Sequence, residues 1–202
     1  MNMRPKLLLL WLCLMLAASA THATAQSAPG WGLEPLMHDL AQTQSASAHF
    51  TERKIIHLLT APLLASGTLT YTAPDYLRKT TTSPVPEDFV LDHNTITITG
   101  GPDNQTHHFA VGDDPRIGGL VEGIRATLAG DLPTLERFYT VQLNGTATDW
   151  QLNLLPRNAN LAHFIKWILI RGSQGQISTI DTASSNGDLS EMSITEDQSN
   201  AR

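Results

Sequence analysis

Residues Ser66 to Ser83 read Ser-Gly-Thr-Leu-Thr-Tyr-Thr-Ala-Pro-Asp-Tyr-Leu-Arg-Lys-Thr-Thr-Thr-Ser. From Ser66 to Thr72, Leu69 and Tyr71 alternate with threonines, the pattern of a half-buried strand. Pro74-Asp75 is a turn signal, and Tyr76 to Ser83 returns as a second strand. Strands joined by so short a turn pair antiparallel. The same grammar extends outward in both directions. Upstream, Ser47 to Leu59 is rich in alternating and β-branched residues until Ala61-Pro62 breaks it. Before it, Leu33, Leu36, Met37 and Leu40 recur at helical spacing, which predicts an amphipathic helix from about Leu33 to Gln44. Downstream, Pro84 and Pro86 punctuate, and Phe89 to Asp92 and Thr95 to Thr99 flank His93-Asn94, a two-residue linker of hairpin type. A loop at Gly100 to Asn104 leads into a further strand, Thr106 to Val111.

The period then changes. Ile117, Leu120, Val121, Ile124 and Leu128 form one helical stripe. Gly118, Gly119 and Gly123 interrupt it, each costing about 1 kcal/mol against alanine, so packing has to stabilise this helix. Asp131 and Pro133 start a short helix through Phe138. Strands resume at Tyr139 to Asn144, Asp149 to Leu155, Phe164 to Arg171, Gln176 to Ala183 and Leu189 to Glu196. A single antiparallel sheet of roughly ten strands cannot stay flat and curls into a barrel or an incomplete barrel. The helical segments are the only other apolar surfaces, which places them across the mouth of the curved sheet.

At 202 residues the chain has room for one domain with a real core. A net charge of -6 provides no general basic field, which argues against nucleic acid as a partner. At the start, Arg4 and Lys6 precede an apolar run from Leu7 to Ala18, followed by Ala23-Thr24-Ala25. This reads as an export signal, residues 1–25, cleaved after Ala25; the run is shorter than the roughly 20 residues that span a bilayer. Loss of its two basic side chains takes the formal charge of the remaining 26–202 to -8. Cys13 is the one cysteine, and it falls inside this segment, so stability must come from the core and from hydrogen bonding without disulfides.

Catalytic and metal chemistry find no constellation. His107-His108 lies near Asp113-Asp114, but adjacent residues on a strand point to opposite faces, and no metal-ligand spacing accompanies them. Asp75, Glu87, Asp92 and Asp131 sit at turns or helix starts, where capping is the commoner role for a carboxylate. No nucleophile elbow, P-loop or dinucleotide fingerprint occurs, so no catalytic residue, metal or cofactor is expected. What remains is a surplus of apolar side chains at alternating positions. Phe50, Leu69, Tyr71 and Leu77 belong to the first strands, Phe89, Leu91, Ile96 and Ile98 to the next pair, and Trp150, Leu152 and Leu154 to a late one. A closed core and a lipid cavity are lined by the same residue types, so both readings stand for these positions.

The order of elements resembles the periplasmic outer-membrane lipoprotein carrier (LolA-like) family, and the chain has the look of a divergent member. The residues that carry the resemblance are Ala48-His49-Phe50-Thr51-Glu52-Arg53, then Ser66-Gly67-Thr68-Leu69-Thr70-Tyr71, then Pro74-Asp75-Tyr76-Leu77-Arg78-Lys79. The resemblance implies a mainly β fold with α-helices: an unclosed antiparallel half-barrel, residues 26–202, covered by a helical lid over an apolar cavity. On that basis the cavity residues are Phe50, Leu69, Tyr71, Leu77, Phe89, Leu91, Ile96, Ile98, Trp150 and Leu152. Ile117, Leu120, Val121, Ile124 and Leu128 form the lid helix. The implied role is a monomeric periplasmic carrier of acylated lipoprotein or other lipid, loaded by an inner-membrane exporter and unloaded to an outer-membrane acceptor. Family carriers have an arginine directly before the proline of the P-x-x-[LF] segment that holds the empty cavity shut; Ala73 stands there in this chain. Lys79 takes a place where an aromatic cavity residue is expected. These departures keep open a lipid-export accessory or a lipoprotein-sensing module on the same fold, with a secreted hydrolase third.

Overall fold

A computed structural model describes residues 30–197. The expected export signal and Cys13 lie outside them. A helix α1 (Leu33–Leu40) is followed by strands β1 (Ser45–Ile55), β2 (Leu63–Thr72) and β3 (Tyr76–Ser83). Three more strands follow, β4 (Glu87–Asp92), β5 (Thr95–Gly100) and β6 (Gln105–Ala110), and then helices α2 (Pro115–Leu128) and α3 (Leu132–Phe138). The chain continues through β7 (Tyr139–Thr146), β8 (Asp149–Pro156), a one-turn helix α4 (Ala159–Ala162), β9 (Ile165–Ser173), β10 (Gln176–Ser184) and β11 (Leu189–Glu196).

The strands form one antiparallel sheet in the order β6-β5-β4-β3-β2-β1-β11-β10-β9-β8-β7. β6 and β7 are its two edges, and among the described residues they do not pair, so the sheet is a half-barrel left open. Two hairpin meanders, β1 to β6 and β7 to β11, are joined where β1 lies against β11, Phe50 facing Ile194 and Glu52 facing Met192. That join brings the first strand beside the last, and no local turn signal announces it.

Most expected elements fall where the sequence places them, and three differ for local reasons. The first helix stops at Leu40, not Gln44, because Gln42 and Thr43 N–H groups bond back to Asp39 and Leu40 in a turn. Ser45 is then drawn into β1 by its pairing with Thr72. At its far end β1 stops at Ile55, not Leu59; the Leu59 N–H closes a turn onto the Ile56 carbonyl, and Leu63 pairs back with Lys54. α4 is the element the sequence reading omits: Asn158 caps it, accepting from the Leu161 N–H at 2.8 Å.

Two apolar cores flank the concave face. The larger seals α1, α3 and α4 onto β7 to β10, with Leu36, Leu135, Trp150, Leu152, Ile168 and Ile170 fully enclosed. The smaller sets Ile117 and Val121 of α2 on Leu91, Ile96 and Val111. The glycines that weaken α2 in isolation are where it comes closest to its neighbours. A Cβ at Gly118 would strike the Val111 carbonyl, and one at Gly119 the Leu161 side chain. Intrinsic helix propensity is exchanged here for intimate packing.

Candidate functional site

Alternation along β1 turns Ala46, Ala48, Phe50, Glu52 and Lys54 to the concave side and leaves Ser45, His49, Thr51 and Arg53 exposed. Between this face and the helices is a cavity of about 540 Å³. Its roof is Leu40 of α1 with Leu120, Ile124 and Leu128 of α2, one row at four-residue spacing. Its walls are Leu69 and Tyr71 of β2, Leu77 of β3 and Phe89 of β4 on one side. Ile177 and Ile180 of β10 with Met192 and Ile194 of β11 make the other. A volume of this size is in the ordinary range for a small-molecule or lipid site.

The cavity has two unlike ends. One lies beneath α1 and α2, where Leu40 and Thr43 border it. The other reaches Lys54, Ile56, Asp188 and Ser190, at the end where the β1–β2 and β10–β11 connections turn. The exposed large apolar side chains of the described residues all lie on that second end: Leu58, Leu59 and Val85 in the β1–β2 and β3–β4 connections, Leu63 and Leu64 at the start of β2. Leu58 is 80% exposed.

The residues expected to line a site divide into two groups. Leu69, Tyr71, Leu77 and Phe89 border the cavity together with Leu120, Ile124 and Leu128. Leu91, Ile96 and Val121 are buried in the smaller core, with Ile98 and Ile117 packed against it. Trp150 and Leu152 are enclosed in the larger core beneath α1, and so is Leu154; the Trp150 indole N–H donates to the Gln174 carbonyl at 2.8 Å. Phe50 faces the concave side but is only 2% exposed, because the Lys79 ammonium lies over its ring, 4.8 Å from the centroid.

Lys79 of β3 reaches this position across β2, which pairs with both strands. Gly67 stands opposite Phe50, and a Cβ there would run into the Thr80 carbonyl. From there Lys79 Nζ donates to Glu52 Oε2 at 2.6 Å. The Ser190 hydroxyl donates to Glu52 Oε1 at 2.7 Å, and Lys54 Nζ lies 3.6 Å from the same oxygen. Glu52 is 6% exposed, the one buried charged side chain of the sheet among the described residues. Burial alone would raise its carboxyl; the Lys79 charge and hydrogen bond, then Ser190 and Lys54, outweigh it and hold the group below the usual carboxylate range. This polar island, and the β10 and β11 wall, are what the sequence reading passes over. The signal was strand parity: Glu52 and Lys54 share the face of Ala48 and Phe50, and Met192 that of Ile194.

A second recess of about 250 Å³ adjoins the helical end, bordered by Ala41, Gln44, Tyr71, Ala73, Pro74 and Ala129. Ala73 leaves space here where a long side chain would extend. Tyr71 borders both hollows; its hydroxyl is buried and without a hydrogen-bond partner among the described residues, and burial pushes it above the ordinary phenol range.

No group of three or more His, Cys, Asp or Glu side chains capable of holding a metal occurs among the described residues. None of their helices is long and apolar enough to cross a membrane.

Residues 25–201 match a family model described as outer membrane lipoprotein carrier protein LolA-like. No curated protein matches the chain. Among solved structures it is similar to a LolA superfamily protein of Nitrosomonas europaea, at 9% identity over 81% of this chain and 89% of that one, with a TM-score of 0.45. A DUF1329 family protein of Desulfovibrio piger gives 9% identity over 81% and 88%, with a TM-score of 0.47. The MucA/MucB complex of Pseudomonas aeruginosa gives 14% identity over 81% of this chain and 55% of that one, with a TM-score of 0.45.

Proposed function

The chain belongs to the LolA-like family of outer membrane lipoprotein carrier proteins, and from that membership we propose that it is a periplasmic carrier. It takes the acyl chains of lipoproteins or other lipids into the cavity beneath α2 and delivers them towards the outer membrane. The observation that carries this reading is the hollow itself: about 540 Å³ of space with a predominantly apolar lining, roofed by Leu120, Ile124 and Leu128. Transfer of hydrocarbon into water costs about 0.8 kcal/mol per methylene, so an acylated cargo needs cover to cross an aqueous compartment. The exposed leucines at the hairpin tips adjoin one end of the cavity and give the chain an apolar path in or out. An inner-membrane exporter and an outer-membrane acceptor are the partners such a route requires. The groups in the cavity bind and position the acyl chain.

A second reading, an accessory that carries a lipid other than a lipoprotein for a dedicated exporter, draws on Ala73 and Lys79. The recess beside Ala73 lacks a long side chain bridging sheet and lid, and Lys79 puts a charge into the wall.

The test is mass spectrometry of whatever organic solvent extracts from the natively purified protein, with uptake of a fluorescent fatty acid by the stripped protein beside it. Co-purifying acyl lipid and saturable uptake are expected. A protein that yields no lipid and takes up no probe is not a carrier of this kind.

A further inference from the structure

Resting on the carrier reading above, we propose that the cavity takes a hydrocarbon chain ending in a single carboxylate, and that Lys79 and Lys54 hold that carboxylate beside Glu52.

The first ground is that stability alone does not call for a polar island here. A buried ion pair seldom stabilises a fold more than apolar side chains of the same volume would, because both charges must be desolvated. The concave face of β1 is otherwise Ala46, Ala48 and Phe50, and further apolar residues at 52 and 54 would continue that wall.

The second ground is charge balance. Glu52 takes a proton donor from Lys79 at 2.6 Å and has Lys54 at 3.6 Å, so one carboxylate faces two ammonium groups. The other charged side chains on the lining, Glu87 excepted, have polar partners of their own. Arg78 pairs with Asp88 at 2.8 Å, Asp188 with His57 at 2.8 Å, and Glu196 accepts from Gln176 at 2.9 Å. Glu87 is the remaining acid; it stands opposite Thr81, two residues along β3 from Lys79, and forms no ion pair among the described residues. Taken by itself, the cluster of Lys79, Glu52 and Lys54 carries a net charge of +1, which a monoanion matches. Each ammonium has three N–H donors, and the Lys79 group gives one to Glu52 while resting on the Phe50 ring.

The third ground is direction. From Ala46, at the helical end, to Lys54 is eight residues of strand, roughly 26 Å. A chain lying along β1 with its methyl end beneath Leu120, Ile124 and Leu128 brings its other terminus to the two lysines. One apolar end and one cationic end define an amphiphile's orientation as well as its class.

The experiment compares palmitate with methyl palmitate on the natively purified protein stripped of lipid, reading displacement of a fluorescent hydrocarbon probe. The ester keeps the chain and removes the charge. The acid is expected to bind about tenfold more tightly, the range of one charge-assisted contact. That acid-to-ester ratio should fall towards one in Lys79→Gln and rise above the parent value in Glu52→Gln, which removes the competing carboxylate. Equal binding of acid and ester by the parent overturns the carboxylate site and leaves the carrier reading standing. Absence of binding by either defeats the carrier reading and this inference with it. Phosphatidylglycerol displacing the probe more tightly than palmitate transfers the charge match to a phosphodiester and overturns the carboxylate assignment.

Discussion

Tyr139→Phe isolates how firmly α2 is held against the sheet. Tyr139 is fully buried, and its hydroxyl donates to the Gly119 carbonyl of α2 at 2.7 Å. Burial pushes the phenol above its ordinary range, so near neutral pH it is an uncharged donor. The ring passes within 3.0 Å of where a Cβ of Gly123 would sit, and phenylalanine keeps that packing. The substitution therefore deletes one hydrogen bond and little else. A lost buried partner costs about 1 to 3 kcal/mol when it orphans a group. The Gly119 carbonyl, four residues before Gly123 in α2, keeps its helical partner, so the low end applies, about 1 kcal/mol. If that contact clasps α2 to β7 locally, the opening equilibrium of α2 rises about fivefold. Hydrogen exchange read by mass spectrometry should show faster exchange in Ile117–Leu128 with β8 and β9 unchanged. Exchange in α2 at the parent rate, or a uniform acceleration across the sheet, would refute the clasp.

Leu69→Asp should reduce fatty-acid uptake at least about tenfold while the protein stays folded, since Leu69 borders the hollow. Leu91→Asp should instead cost about 4 kcal/mol or more in a urea melt, because it buries a carboxylate among Ile96, Val111 and Val121. Gly67→Ala drives a methyl group into the Thr80 carbonyl and the Phe50 ring, and a loss of about 2 kcal/mol in the same assay is expected. Acid should destabilise the parent more than Glu52→Gln. The Glu52 carboxyl is held below its ordinary value of 4.5, so its contribution is complete above that pH and disappears as pH falls through the lower folded-state value. Matched melts at pH 7 and pH 3 measure the difference, and equal acid losses in the two proteins would show that Glu52 contributes none.

The sequence by itself determined the strands, the turns between them and the helical insertion. Each is written in local chemistry: Leu69 and Tyr71 against threonines in β2, the His93-Asn94 hairpin, the Ile117-to-Leu128 stripe, the Asp131 cap that accepts from the Thr134 N–H. Alternation also marked which side chains face inward, because the period of two is a property of the extended chain. Tertiary structure alone decided which inward residues border empty space. Leu69 and Leu91 carry the same side chain on the same face, yet one meets a hollow and the other meets Val121. That difference depends on where α2 crosses the sheet, and the close fits there are Gly118 against Val111 and Gly119 against Leu161, the second a contact between segments far apart in the chain. The β1–β11 pairing is equally non-local, and it is what brings Ser190 to Glu52 across 138 positions of chain. A polar island inside an apolar wall arises from that pairing and from Lys79 of β3 reaching past β2 to Glu52 of β1, 27 positions away in the chain.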